Sequence, residues 1–102
     1  MRADLPIACT LSPADLRARR DSLLPGIVRR AVAREPLADG LRWQFQPSPD
    51  LLVALATVID AERRCCPFLR FHVITEAAGG PVWLEVTGPA GTREFLDRLP
   101  AL

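Results

Sequence analysis

Lysine is absent: all 13 basic residues are arginine, and 12 acidic residues leave a net charge of only +1. A near-neutral chain gives no electrostatic footprint for nucleic acid or an anionic membrane, so neither is expected as a partner. The all-arginine usage, beside many alanines and prolines, reads as genome composition bias. No apolar run reaches the roughly 18–20 residues that span a bilayer. The opening MRADLPIACTLSP lacks a basic stretch followed by an apolar one, so no signal peptide is expected. The expected compartment is the cytoplasm, where thiols rest reduced. Cysteine is scarce, with three in 102 residues, too few for a disulfide scaffold. There is no C-x-x-C, no H-x-x-x-H, no Ser-His-Asp grouping, no catalytic carboxylate pair, no phosphate-binding loop and no basic-aromatic stripe. The Thr87–Gly91 loop, TGPAG, has neither the spacing nor the lysine of such a loop and reads as a turn.

The chain is 49% hydrophobic, enough for one domain with a core spanning residues 1–102. PIACT (Pro6 to Thr10) is a candidate strand. A helix starts at Ser12, with a capping hydroxyl, Pro13 in the first turn and Asp15 at its positive end. It should run to Leu24 and stop at Pro25-Gly26. Ile27 to Glu35 reads as a strand, PLADG as a turn, and Leu41 to Gln46 as a strand alternating Leu41, Trp43, Phe45 with Arg42, Gln44, Gln46. The same grammar then repeats. A helix capped by Ser48 runs to Cys66 and stops at Pro67; Phe68 to Thr75 is a strand, EAAGG a turn, Pro81 to Thr87 the returning strand, and GPAGTREFLDRL a last short helix. The order β-αββ-αββ-α implies an α+β two-layer sandwich, its sheet largely antiparallel with helices on one face. The two αββ units share a Ser-Pro start, a twin arginine and a proline stop, which suggests an internal duplication.

On the second hairpin, Leu69, Phe71 and Val73 form one strand face and Phe68, Arg70, His72 and Ile74 the other. Arg70 is expected to pair with Glu85 across the sheet. Phe68, Ile74 and Trp83 would leave an apolar patch on the outer face, the expected homodimer interface.

The chemistry concentrates in ERRCCPF, Glu62 to Phe68. On the second helix Glu62 shares a stripe with Leu51, Leu55, Val58 and Cys65, and with Leu52, Leu55, Ile59 and Cys66. A carboxylate there must reach the edge, pair with an arginine such as Arg63 or Arg70, or serve a site. Adjacent helical residues point about 100° apart. Cys65 and Cys66 converge only if the chain bends at Pro67, which drives the preceding residue out of the helical region. Arg63, Arg64 and Arg70 are candidates to stabilise a thiolate against the negative helix end. Cys9 is a candidate third sulfur ligand, and Glu62 or His72 a candidate base or supporting group. Such a set suits a soft ion: Zn(II), Cu(I), Hg(II) or As(III). Two other readings compete. One thiol of the pair is a nucleophile with the other, or Cys9, resolving it; or the cysteines are small core hydrophobes and the sheet face is the working surface.

ERRCCPFLRF, with GPVWLEVTGPAGTREFL after it and IACTLSP at the front, resembles a family of small uncharacterised bacterial proteins, some loosely linked with thiophilic-metal resistance. The resemblance covers nearly the whole chain, and its distinctive part is an E-R-x-C-C-P-F-L core, Glu62 to Leu69. It implies a soft-metal role for Cys65 and Cys66 and assigns no catalytic residue.

Overall fold

Alternation in two strands makes the sheet's buried face. Leu41, Trp43 and Phe45 of one, and Val82, Leu84 and Val86 of the other, are all buried, while Arg42, Gln44, Trp83 and Glu85 between them are not. A computed structural model describes residues 24–98 of the chain. The candidate strand Pro6–Thr10 with Cys9, and most of the helix started by Ser12, lie outside the described residues.

The described elements are α1 (Leu24–Val28), β1 (Ala33–Leu37), β2 (Gly40–Phe45), α2 (Leu51–Cys65), β3 (Arg70–Thr75), a 3-10 turn (Ala77–Gly79), β4 (Val82–Thr87) and α3 (Thr92–Asp97). The strands form one antiparallel sheet in the order β1-β2-β4-β3. Two hairpins meet at their second strands, the layout two αββ units would produce. Helix residues Leu24, Ile27, Val28, Leu51, Leu55, Val58 and Leu96 close one core with the buried sheet face. The fold is α+β, as expected.

Several local expectations are corrected. Pro25-Gly26 does not stop a helix; both lie inside α1, and Ile27 and Val28 are helical core residues rather than the start of a strand. Proline is tolerated in a first helical turn, and burial against α2 outweighs the β preference of branched side chains. The strand instead starts at Ala33 and runs through Pro36, which an edge strand tolerates. Ser48 does not cap α2. Asp50 holds the cap position without a side-chain cap bond, and Leu51 N–H donates to the Ser48 carbonyl at 3.2 Å. The Ser48 hydroxyl donates to Asp50 Oδ1, and Arg30 grips both Asp50 oxygens at 3.1 Å.

One close approach fixes the hairpin crossing. At Gly40 a Cβ would run into the Val86 backbone, so only glycine lets β2 lie this close to β4 there.

Phe68 corrects the outer-face patch. It lies before β3 rather than in it, is 4% exposed, and packs edge-to-face on Phe95 with ring centroids 5.1 Å apart. Trp83 is half-buried under Arg42, whose guanidinium carbon sits 3.9 Å from the ring centroid.

Candidate functional site

Pro67 ends α2, and the bend it enforces builds the site. Cys65 is the last helical residue and Cys66 the C-cap, with φ −126° and ψ 75°, outside the helical region as a residue before proline should be. Cys66 N–H donates to the Glu62 carbonyl at 2.7 Å, and Leu69 N–H to the Cys66 carbonyl at 3.1 Å. These two bonds close the helix and fold the chain tightly around Pro67 into β3. The sulfurs of Cys65 and Cys66 thereby come to 3.3 Å.

Glu62 lies one turn earlier on the stripe Leu51–Leu55–Val58–Glu62–Cys65, all of it buried. The residue is 7% exposed. One oxygen accepts from the Leu24 backbone N–H at 3.2 Å and the other from the Cys65 thiol at 3.7 Å. Leu24 is the first described residue of α1. Neither an arginine pair nor an escape to the helix edge is needed. This backbone partner from α1 was not legible in the sequence, because it depends on how α1 packs on α2.

Glu62, Cys65 and Cys66 each offer one ligand atom, and these lie within 4.8 Å of one another. Among the described residues this is the one group of three metal-ligating side chains brought together. Two sulfurs on a tetrahedral ion with bonds of about 2.3 Å stand about 3.8 Å apart, so the pair is roughly half an ångström narrower than a loaded site needs. Small rotations of side chains close that gap. The sulfurs differ in state. Cys66 is disulfide-bonded, whereas Cys65 keeps its thiol; at 3.3 Å they are not bonded to each other. The chain has one further cysteine, Cys9, outside the described residues.

The other expected site residues stand apart. Arg63 and Arg64 pair with Asp60 at 3.0 and 3.1 Å, with side chains 62% and 64% exposed. Asp60 is about 200° round the helix from Glu62, so these arginines turn away from the sulfurs. Arg70 is exposed and opposes Thr87 across the sheet; the expected Arg70–Glu85 pair is replaced by Arg42–Glu85 at 3.7 Å. His72 is exposed on the outer sheet face, with Nδ1 4.0 Å from Glu85. The helices cover the other face, so His72 does not join the sulfurs.

A second cluster went unforeseen. The register aligns Glu35, Arg42, Glu85 and His72 in one row across all four strands of the outer face. Arg42 lies 3.9 Å from Glu35 and 3.7 Å from Glu85, and its buried Nε has no hydrogen-bond partner. The alternation of β2 points Arg42 outward, but the row appears only once the strand register is known.

No protein-family model matches the chain, and no solved structure matches it. Among the described residues no helix is long and apolar enough to cross a membrane.

Proposed function

We propose that the protein is a thiol protein of a reducing compartment that takes up a soft metal or metalloid ion between Cys65, Cys66 and Glu62. The observation that carries this reading is the buried triangle of two sulfurs and one carboxylate, within 4.8 Å, at a helix end bent by Pro67. A buried carboxylate with no cation among the described residues gains when one arrives. The thiolates select for softness: Zn(II), Cu(I), Hg(II) or As(III) rather than Mg(II) or Ca(II). Binding requires Cys66 to be reduced first, since a disulfide sulfur is a poor ligand. Cys9 is the candidate third sulfur. The resemblance of Glu62–Leu69 to a family of which some members are loosely linked with thiophilic-metal resistance supports the same reading.

The test is alkylation of the native, reduced protein, read by intact mass, with and without one equivalent of each ion. Protection of two thiols by one ion, lost in Cys65→Ser and Cys66→Ser variants that still fold, is the expected result. Equal alkylation with and without every ion overturns the reading.

One observation favours a second reading, thiol–disulfide exchange. Cys65 keeps its thiol 3.3 Å from the sulfur of a disulfide, with Glu62 accepting its hydrogen. Glu62 takes the proton, the Cys65 sulfur bonds to Cys66 Sγ, and the sulfur formerly bonded to Cys66 leaves as a thiolate. No electron is gained or lost overall. Peptide mapping without reductant distinguishes the readings: exchange populates a Cys65–Cys66 disulfide and frees the sulfur formerly bonded to Cys66, and ion binding alone does not.

A further inference from the structure

Among the described residues the sheet has two outer strands, and they are built differently. β1 carries Arg34, Glu35 and Pro36 within five residues, the charges and proline that stop an edge from recruiting another strand. β3 has neither proline nor glycine, and five of its six residues are exposed. The backbone stays extended through Glu76, at φ −92° and ψ 156°, so this edge continues one residue beyond the strand. Val73 stands beside the fully buried Leu84 on the helix-covered face, yet it is 40% exposed, and Ile74 on the outer face is 37% exposed. Apolar side chains therefore flank the outer edge of β3 on both faces.

We propose that the edge of β3 is the interface between two copies of this chain, which join antiparallel about a two-fold axis normal to the sheet and make one continuous sheet from two. Such an axis keeps the helices of both copies on the same side, so facing residues must come from the same face. Charge chooses between the two central registers. Centred on Val73, the register sets Val73 against its own copy, His72 against Ile74, Phe71 against Thr75, and Arg70 against Glu76. Arg70 and Glu76 are both exposed and of opposite sign, and the two-fold axis makes the pair twice. Centred on His72, the register stacks imidazole on imidazole and leaves Arg70 opposite Ile74. The Val73 register is the complementary one. This interface does not depend on the thiol site, and it differs from the outer-face patch expected from the sequence, which Phe68 and Trp83 do not form.

Sedimentation velocity on the full chain across the micromolar range, with reductant present to remove intermolecular disulfides, tests it. The wild type is expected to form a dimer. Arg70→Glu and Glu76→Arg should each weaken it by roughly tenfold. The two substitutions combined should restore it, because opposite charges then face each other again with their strands exchanged. Both side chains are exposed, so folding is preserved, and circular dichroism confirms that for each variant. Val73→Lys should leave a folded monomer. A wild type that stays monomeric throughout overturns the proposal, as does a dimer indifferent to both single charge reversals.

Discussion

Two glutamates of this small domain solve the same problem in opposite ways. Glu85 lies on the outer sheet face, partly wet, and is held by the charge of Arg42 on one side, with His72 Nδ1 4.0 Å away on the other. Glu62 lies in the dry layer between α2 and α1 and is held by a backbone N–H and a thiol. Among the described residues no arginine reaches it, although two follow it directly in sequence. The difference is one of reserve. A carboxylate already neutralised by a guanidinium has little left to offer a metal ion. One held only by a backbone N–H and a thiol has no cation beside it among the described residues, so an incoming ion meets no competitor there. Under the proposed reading, that contrast favours Glu62 over the outer row as the carboxylate that meets an ion.

Removing each carboxylate should break the contrast unequally. Glu62→Ala leaves the Leu24 amide buried without an acceptor and opens a cavity between α1 and α2. Its cost should be about 2–3 kcal/mol, seen as a fall of roughly 10–20 °C in the thermal midpoint. Glu62→Gln keeps an acceptor for that amide and should recover most of the loss. In the ion-protection assay it should still weaken binding by about 10- to 100-fold, the range for losing a group that supports a metal site. Equal ion binding by the Gln variant would remove Glu62 from the site. Arg42→Ala comes next, at about 1–2 kcal/mol in urea unfolding, because it uncovers Trp83 and strands Glu85. Arg42→Lys should recover only part, since a lysine neither stacks flat nor bridges two carboxylates. Glu85→Gln should cost about 0.5 kcal/mol or less and shrink further in high salt. A Glu85 variant as damaging as Glu62→Ala would erase the distinction between the two sites.

How far the sequence reached follows the range of the forces involved. Alternation at Leu41, Trp43 and Phe45 marked the buried face of β2, and Pro67 marked the end of α2, because both signals are local. The stripe Leu51–Leu55–Val58–Glu62–Cys65 put Glu62 next to Cys65 from helical spacing alone. The segment from Ile27 to Glu35 misled: branched residues after a Pro-Gly pair look like a strand, and only packing against α2 keeps Ile27 and Val28 helical. Phe68 looked like an exposed strand residue because the turn at Cys66–Leu69 shifts β3 to a later start. The convergence of the two sulfurs depended on the φ angle at Cys66, −126°, and on both side-chain rotamers, which no local sequence pattern sets. Pairings such as Arg42–Glu85 needed the register between strands that are about 40 residues apart in sequence, information that no local pattern holds.

The smallest effect lies at the mouth of α2 and tests the same rule with a carboxylate that is fully wet. Asp50 accepts from Arg30 and from the Ser48 hydroxyl, and these contacts, Arg30 first, hold its pKa below the ordinary value of 3.8. A lowered folded-state pKa means that ionised Asp50 favours the folded chain. Its contribution is fully present above pH 3.8 and disappears as pH falls through the lower folded value. Asp50→Asn should therefore be slightly less stable than the wild type near neutrality, and the gap should close in acid. Added salt should narrow it as well, since the Arg30 pair is solvent-exposed. Parallel urea melts of the two proteins at neutral and acid pH measure it. A gap that widened on acidification would mean that protonated Asp50, not its carboxylate, is what the start of α2 prefers.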